Sequence, residues 1–206
     1  MHEQSLFVDP GALEIPLRDA VLTFHAHAFS GGEADHYLDV LLQTTPWRAD
    51  TITIHGKSIP LPRLQAWYCD HDWPVHYSGM EVSALAWTPV LQSIRARVRE
   101  LSGRDFNGVL VNCYRDGNDS VGWHSDDEAE WGPNPVIASV SFGATRDFVL
   151  KHRRDRTVKP VTCALTHGSL LLMGETVQNT WLHQLPKRRR VTAPRVNLTF
   201  RNLRAP

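Results

Sequence analysis

Cysteine is scarce and scattered: Cys69, Cys113 and Cys163 are three residues in 206, an odd number with no C-x-x-C spacing. A disulfide framework and a thiolate zinc site are therefore excluded as organising features, and buried free thiols are the expectation. No apolar run approaches the ~18 residues that a membrane helix needs. The opening MHEQSLFVDP lacks a basic-then-apolar leader pattern. A soluble cytoplasmic protein with no membrane partner is expected, with a monomer as the working assumption. Internal repeats and low-complexity segments are missing too, which argues against a solenoid or a long disordered tail. What remains, with 42% hydrophobic residues, suits one core burying about 70% of the unfolded surface.

Net charge is zero, but by cancellation. Residues 146–206 hold 13 Lys/Arg against 3 Asp/Glu, and residues 1–145 hold 9 against 19. The clusters at 151–156 (KHRRDR) and 187–190 (KRRR) suggest a basic surface on an acidic body, for which a polyanion is the natural partner. Two solvated turns with Arg-rich tips explain the same charges equally well.

Along the chain, VLTFHAHAF reads as extended, with His25 and His27 on one strand. Ser30-Gly-Gly-Glu33 is a capping box, and Ala34, Tyr37, Leu38, Leu41 and Leu42 follow at helical spacing, so 31–44 is a predicted helix. Residues 47–59 (WRADTITIHGKSI) alternate on either side of His55-Gly56, as a β-hairpin does. The stretch 61–79, broken by Pro and Gly, reads as an aromatic-rich loop. Its rings Trp67, Tyr68, Trp73 and Tyr77, interleaved with Arg63, Gln65 and His76, offer a stacking platform for a nucleobase, although core packing is expected to claim at least two of them. Thr88-Pro89 opens a second helix with the stripe Val90, Leu91, Ile94, Val98 and Leu101, which Gly103 ends. Beyond it come short strand-like runs at 106–114, 136–142, 147–151, 158–165, 168–173 and 195–201. The expected class is α+β in a single domain 1–206, with a mixed α/β front over 1–103 and an all-β rear, a sandwich or jelly roll, over 104–206.

Two stretches carry chemistry. His124-x-Asp126 places both side chains on one side of an extended backbone, where they can share a metal. Eleven His and 22 acidic residues give about one such pair by chance, so the pair needs support. It comes from 195–201, which alternates in period two as a half-buried strand. The polar face there, Arg195, Asn197, Thr199 and Arg201, would suit a dicarboxylate through bidentate, charge-assisted contacts. A solvated edge strand is the plainer alternative, but it leaves unexplained the nearby third metal candidate, His183, in the QNTWLHQLP turn. Two imidazoles and one carboxylate, with no Cys or fourth ligand to close the site, are the facial arrangement of non-haem Fe(II) oxygenases. Asn112 and Tyr114 share a strand face and can donate to the same organic acid.

The ordered motifs N-x-Y…H-x-D-D-E, PVIASVSFGATRDF, HGSLLLM, W-L-H-x-L-P and APRVNLTFR, with PRLQAWY and YSG ahead of them, resemble the AlkB-type 2-oxoglutarate/Fe(II) dioxygenases, nearest the branch that repairs alkylated DNA. The likeness covers about 63–204. It implies a double-stranded β-helix (jelly-roll) core with N-terminal helices and a β-hairpin nucleotide-recognition lid. It implies iron on His124, Asp126 and His183, and 2-oxoglutarate on Asn112, Tyr114, Arg195, Thr199 and Arg201, with Asn197 between them and Arg195 on the distal carboxylate. It implies that Glu128 contacts the exocyclic amino group of the base, with Asp127 as its competitor, that Tyr77 and the His124 ring sandwich a flipped base, and that Arg63 and Gln65 lie in the lid. The implied activity consumes O2 and 2-oxoglutarate to hydroxylate N-methyl groups on alkylated nucleic acid. DNA bases such as 1-methyladenine and 3-methylcytosine are the first expectation, because the methyl blocks pairing, adds positive charge and makes extrusion easier. Two departures stand out: the hairpin tip Ile54-His55-Gly56 lacks the bulky apolar finger of relatives acting on duplex DNA, and Cys69 stands where that branch usually has glycine. The open alternatives are the same chemistry on RNA or a protein side chain, and a jelly-roll binding module with a structural metal.

Overall fold

The computed structural model describes residues 11–54, 57–73, 75–77 and 80–204, the side chains of 52–54, 75–77, 80 and 81 excepted. In chain order the elements are β1 (Ala12–Leu17), β2 (Ala20–His25), α1 (Gly31–Thr44), β3 (Thr51–Ile54), β4 (Lys57–Pro60), β5 (Leu64–Cys69), β6 (Val75–Tyr77), β7 (Met80–Val82), α2 (Pro89–Ser102) and β8 (Gly108–Tyr114). They continue as β9 (Val121–His124), β10 (Ile137–Gly143), β11 (Arg146–His152), β12 (Val161–Leu165), β13 (Ser169–Met173), α3 (Val177–Thr180), β14 (Trp181–Leu185) and β15 (Arg195–Arg201).

Both long helices start where their caps say. The Ser30 hydroxyl accepts from the Glu33 amide while the Glu33 carboxylate accepts from Ser30 N at 2.9 Å, two orphan donors satisfied reciprocally. Thr88 caps α2, Pro89 occupies its first turn, and Gly103 ends it at φ 65, a left-handed turn that glycine takes without strain.

Antiparallel pairing builds a seven-stranded sheet, β1-β2-β13-β10-β15-β8-β5, and a four-stranded sheet, β12-β11-β14-β9. The helices press Ala34, Leu41, Leu91, Ile94 and Val98 onto one face of the larger sheet, against Val109, Val111, Val140, Phe142, Val196, Leu198 and Phe200. A second cluster, with Ile137, Phe148, Leu150, Leu165, Leu171 and Trp181, joins strands of both sheets. This is the expected jelly roll. On β15 the even-numbered residues are thus committed to the helix side, and period two turns Arg195, Asn197, Thr199 and Arg201 toward the smaller sheet.

Five expectations change. The strand at 195–201 is not half-buried: all seven residues are covered, so its polar face is an interior. The supposed loop at 61–79 contains β5, which pairs with β8 along its whole length and is buried from Gln65 to Cys69. Covered on both faces, it lacks the alternation that marks an exposed strand. His183 lies on strand β14 rather than in a turn, and His27 lies in the turn after β2. The front third also gives β1, β2 and β5 to the same sheet as β8, β10, β13 and β15, so the sheet runs across position 103. The hairpin β3–β4 is present, but His55 and Gly56 at its tip lie outside the described residues.

The turn after β14 is fastened to the loop after β8. Gly117 N donates to Val191 O and Arg188 N to Gly117 O, both at 2.7 Å. Buried Arg146 donates to the carbonyls of Asp116, Asp119 and Pro186 at 3.1, 2.9 and 2.8 Å. A Cβ at Gly117 would overlap the Arg188 carbonyl oxygen. Gly117→Ala is expected to destabilise the protein by about 1–3 kcal/mol, read as a lower thermal midpoint. An unchanged midpoint would mean that the turn yields freely.

Candidate active site

β9 and β14 pair with His124 opposite His183. Their imidazole centroids lie 4.3 Å apart. Asp126, just beyond β9, completes a group whose ligand atoms all fall within 4.8 Å of one another. His124 Nδ1 donates to the Gly122 carbonyl at 2.9 Å, which fixes the proton there and leaves Nε2 with a free lone pair. His183 Nε2 is 3.9 Å from Asp126 Oδ2, while Asp126 Oδ1 accepts from Arg201 Nη2 at 2.8 Å. Burial alone would raise the Asp126 carboxyl; the charge of Arg201, then of His183 and His124, outweighs it and holds the group well below the usual carboxylate range. Burial, with His124 beside it, pushes His183 down to about 3. At neutral pH the cluster thus offers an ionised carboxylate and a neutral imidazole, the forms that bind metal.

Beside this cluster lies a pocket lined by Asn112, Tyr114, Arg195, Asn197, Thr199 and Arg201 among others. Register explains the grouping: β8 and β15 align Tyr114 with Arg195 and Asn112 with Asn197. Arg195 is 2% exposed and donates to Ser141 Oγ at 2.9 Å, yet its Nε has no partner. Burial pulls its guanidinium down to about 10, and it makes no ion pair among the described residues. A buried cation with an unsatisfied donor fits a ligand carboxylate. Asn197 is occupied within the protein, donating to Ser139 Oγ and the Val140 carbonyl and accepting from Thr199.

A second, narrower and more apolar pocket borders Asp126 and Arg201 and is walled by Gln65, Trp67, Val82, Leu110, Glu128 and Trp131. The Glu128 carboxylate accepts from Trp131 Nε1 at 2.7 Å. Asp127 turns the other way, into an ion pair with Arg153 at 2.7 Å. Gln65 and Arg63 sit in and just before β5 rather than in a lid. Gln65 reaches the second cavity; Arg63 lines the first and donates to Asn112 at 3.1 Å. Tyr77 ends β6, and its side chain lies outside the described residues. Cys69 is the buried last residue of β5 opposite Gly108, its thiol raised by burial.

Sequence reasoning missed Arg146, Gln178 and the Trp131 wall. Arg146 shares strand parity with apolar Phe148 and Leu150, a detectable sign of an inward-facing charge. Gln178, fully buried, accepts from the Asp126 amide at 3.0 Å and orients the loop that carries the carboxylate; nothing local marks it.

Two imidazoles and a carboxylate facing an anion pocket inside a jelly roll define a class, the mononuclear non-haem iron oxygenases that take an organic acid as co-substrate. The profile of the 2OG-Fe(II) oxygenase superfamily matches residues 21–201, and the chain belongs to that family. It is accordingly a dioxygenase that uses Fe(II), 2-oxoglutarate and O2. The chain is 45% identical over 184 residues to the DNA oxidative demethylase ALKBH2 of Mus musculus, covering 85% of this chain and 77% of that one. It is 42% identical over 179 residues to the alpha-ketoglutarate-dependent dioxygenase alkB homolog 3 of Homo sapiens, covering 83% and 62%. The solved structure of OsALKBH1 superposes with a TM-score of 0.64 at 16% identity, over 92% of this chain and all of that one, and shares the fold. No helix among the described residues is long and apolar enough to cross a membrane.

Proposed function

We propose that this dioxygenase dealkylates N-alkylated bases in DNA, 1-methyladenine and 3-methylcytosine among them. The observation that carries the reading is the second pocket: the indoles of Trp67 and Trp131 share its mostly apolar wall with the carboxylates of Asp126 and Glu128. Aromatic walls beside a carboxylate suit a flat, cationic ring bearing an exocyclic amine. The names of the relatives at 42–45% identity agree with it.

His124, Asp126 and His183 would hold the iron. Arg201, bonded to Asp126, would neutralise the end of 2-oxoglutarate next to the metal together with Asn112, and Arg195 with Tyr114 would hold the distal carboxylate. Thr199 and Asn197 set the wall between them. Bound iron, with 2-oxoglutarate and O2, supplies hydroxylation of the N-methyl carbon, which yields succinate, carbon dioxide and then formaldehyde. Glu128 would accept from the exocyclic amine and attract the positive charge of the lesion, with Asp127 kept out of the pocket by Arg153. The His124 ring and Tyr77 would flank the base, and the basic clusters at 151–156 and 187–190 would meet phosphates.

The test is a 3-methylcytosine oligodeoxynucleotide incubated with Fe(II) and 2-oxoglutarate. Formaldehyde and succinate are expected in equal amounts, and His124→Ala is expected to abolish both. Turnover confined to methylated RNA or methylated peptide would overturn the DNA assignment, and product formation undiminished in His124→Ala would overturn the metal site.

A further inference from the structure

Among the described residues the large hydrophobic side chains left exposed include one aromatic ring, Trp123, at 38%. It sits on β9, the outermost strand of the smaller sheet, next to His124. Neighbouring side chains on a strand leave on opposite faces, so His124 enters the cavity while Trp123 stands outside, one strand's thickness from the metal site. On that outer face Lys151 reaches over from β11, its Nζ 4.3 Å from the indole centroid, and forms no ion pair among the described residues. Two residues further, Arg153 bonds Ser125 and Asp127, the residues either side of Asp126. An aromatic plate and a row of cations therefore lead to the rim of the active site from outside.

We propose that Trp123 and Lys151 form a landing for the nucleic-acid strand carrying the lesion: a base next to the extruded nucleotide stacks on the indole, and its phosphate meets the Lys151 ammonium. The proposal rests on the reading of the substrate as nucleic acid. An aromatic ring with a neighbouring cation is the general means of holding single strands, because every base has a π-face and every linkage a charge. The bases of a duplex are already stacked on one another and gain little from such a plate. The landing therefore favours unpaired substrate.

The test is fluorescence anisotropy with a labelled, lesion-free single-stranded oligodeoxynucleotide, using the full chain loaded with Fe(II) and 2-oxoglutarate under anaerobic conditions. Trp123→Ala is expected to bind about tenfold more weakly, with Trp123→Phe recovering most of the loss. Lys151→Glu is expected to weaken binding and to flatten the log–log salt dependence by about 0.7. Duplex binding is expected to change less in all three. Single-strand binding by Trp123→Ala as tight as wild type would overturn the landing while leaving the dealkylation reading intact, as would an equal loss on duplex. A wild-type protein that binds no oligonucleotide, or binds only a methylated peptide, would remove the nucleic-acid reading and the landing with it.

Discussion

Asp126→Ala is expected to abolish turnover and also to destabilise the protein by about 3–5 kcal/mol, a loss of roughly 10 °C in thermal midpoint for a chain of this size. The second effect separates it from His124→Ala. Asp126 and Arg201 form a buried pair at 2.8 Å with side-chain exposures of 4% and 6%, and deletion of the carboxylate strands a guanidinium whose Nε already lacks a partner. A buried pair adds little net stability when intact, but removal of one half exposes the full desolvation penalty of the other. Asp126→Asn keeps an acceptor for Arg201 and is expected to lie between Ala and wild type in stability while losing iron binding. Unfolding measured without iron isolates the effect. A midpoint for Asp126→Ala equal to wild type would show that water reaches Arg201 and that the pair carries no structural weight.

Arg195→Met is expected to raise the KM for 2-oxoglutarate at least about thirtyfold, since a buried charge pair commonly accounts for 2–5 kcal/mol. Its stability should move the opposite way from that of Asp126→Ala. Arg195 is a buried cation that pairs with no carboxylate among the described residues, so methionine of similar length is expected to leave the ligand-free protein as stable as wild type or more so. Wild type should gain several degrees on adding 2-oxoglutarate, because a ligand that binds only the folded state stabilises it by mass action, and the variant should gain almost none. Arg195→Lys keeps the charge but loses the planar fork, and should fall between the two. A KM within a few-fold of wild type in Arg195→Met would place the distal carboxylate elsewhere.

These contrasts show how unevenly the site was written into the chain. His124, Asp126 and the polar face of β15 are visible because spacing i, i+2 on an extended backbone is a local property. So are both helices, whose caps act within four residues of sequence. β5 and β14 were obscured by their surroundings: Gln65–Cys69 is covered on both faces, and WLHQL follows a single helical turn. The separate directions of Asp127 and Glu128 depend on Arg153 and Trp131, neither of which the motif HSDDE contains.

By itself the sequence determined which groups are available and on which face of their own strand they stand, because backbone geometry alone sets alternation and capping. Only the tertiary structure decided that β14 would bring His183 against His124, that Arg195 would be sealed from water with its Nε unsatisfied, and that Trp123 would be left outside. Those outcomes come from strand pairings between residues far apart in the chain, His183 with His124 and Arg195 with Tyr114 among them, and from the burial that follows when two sheets close over one another.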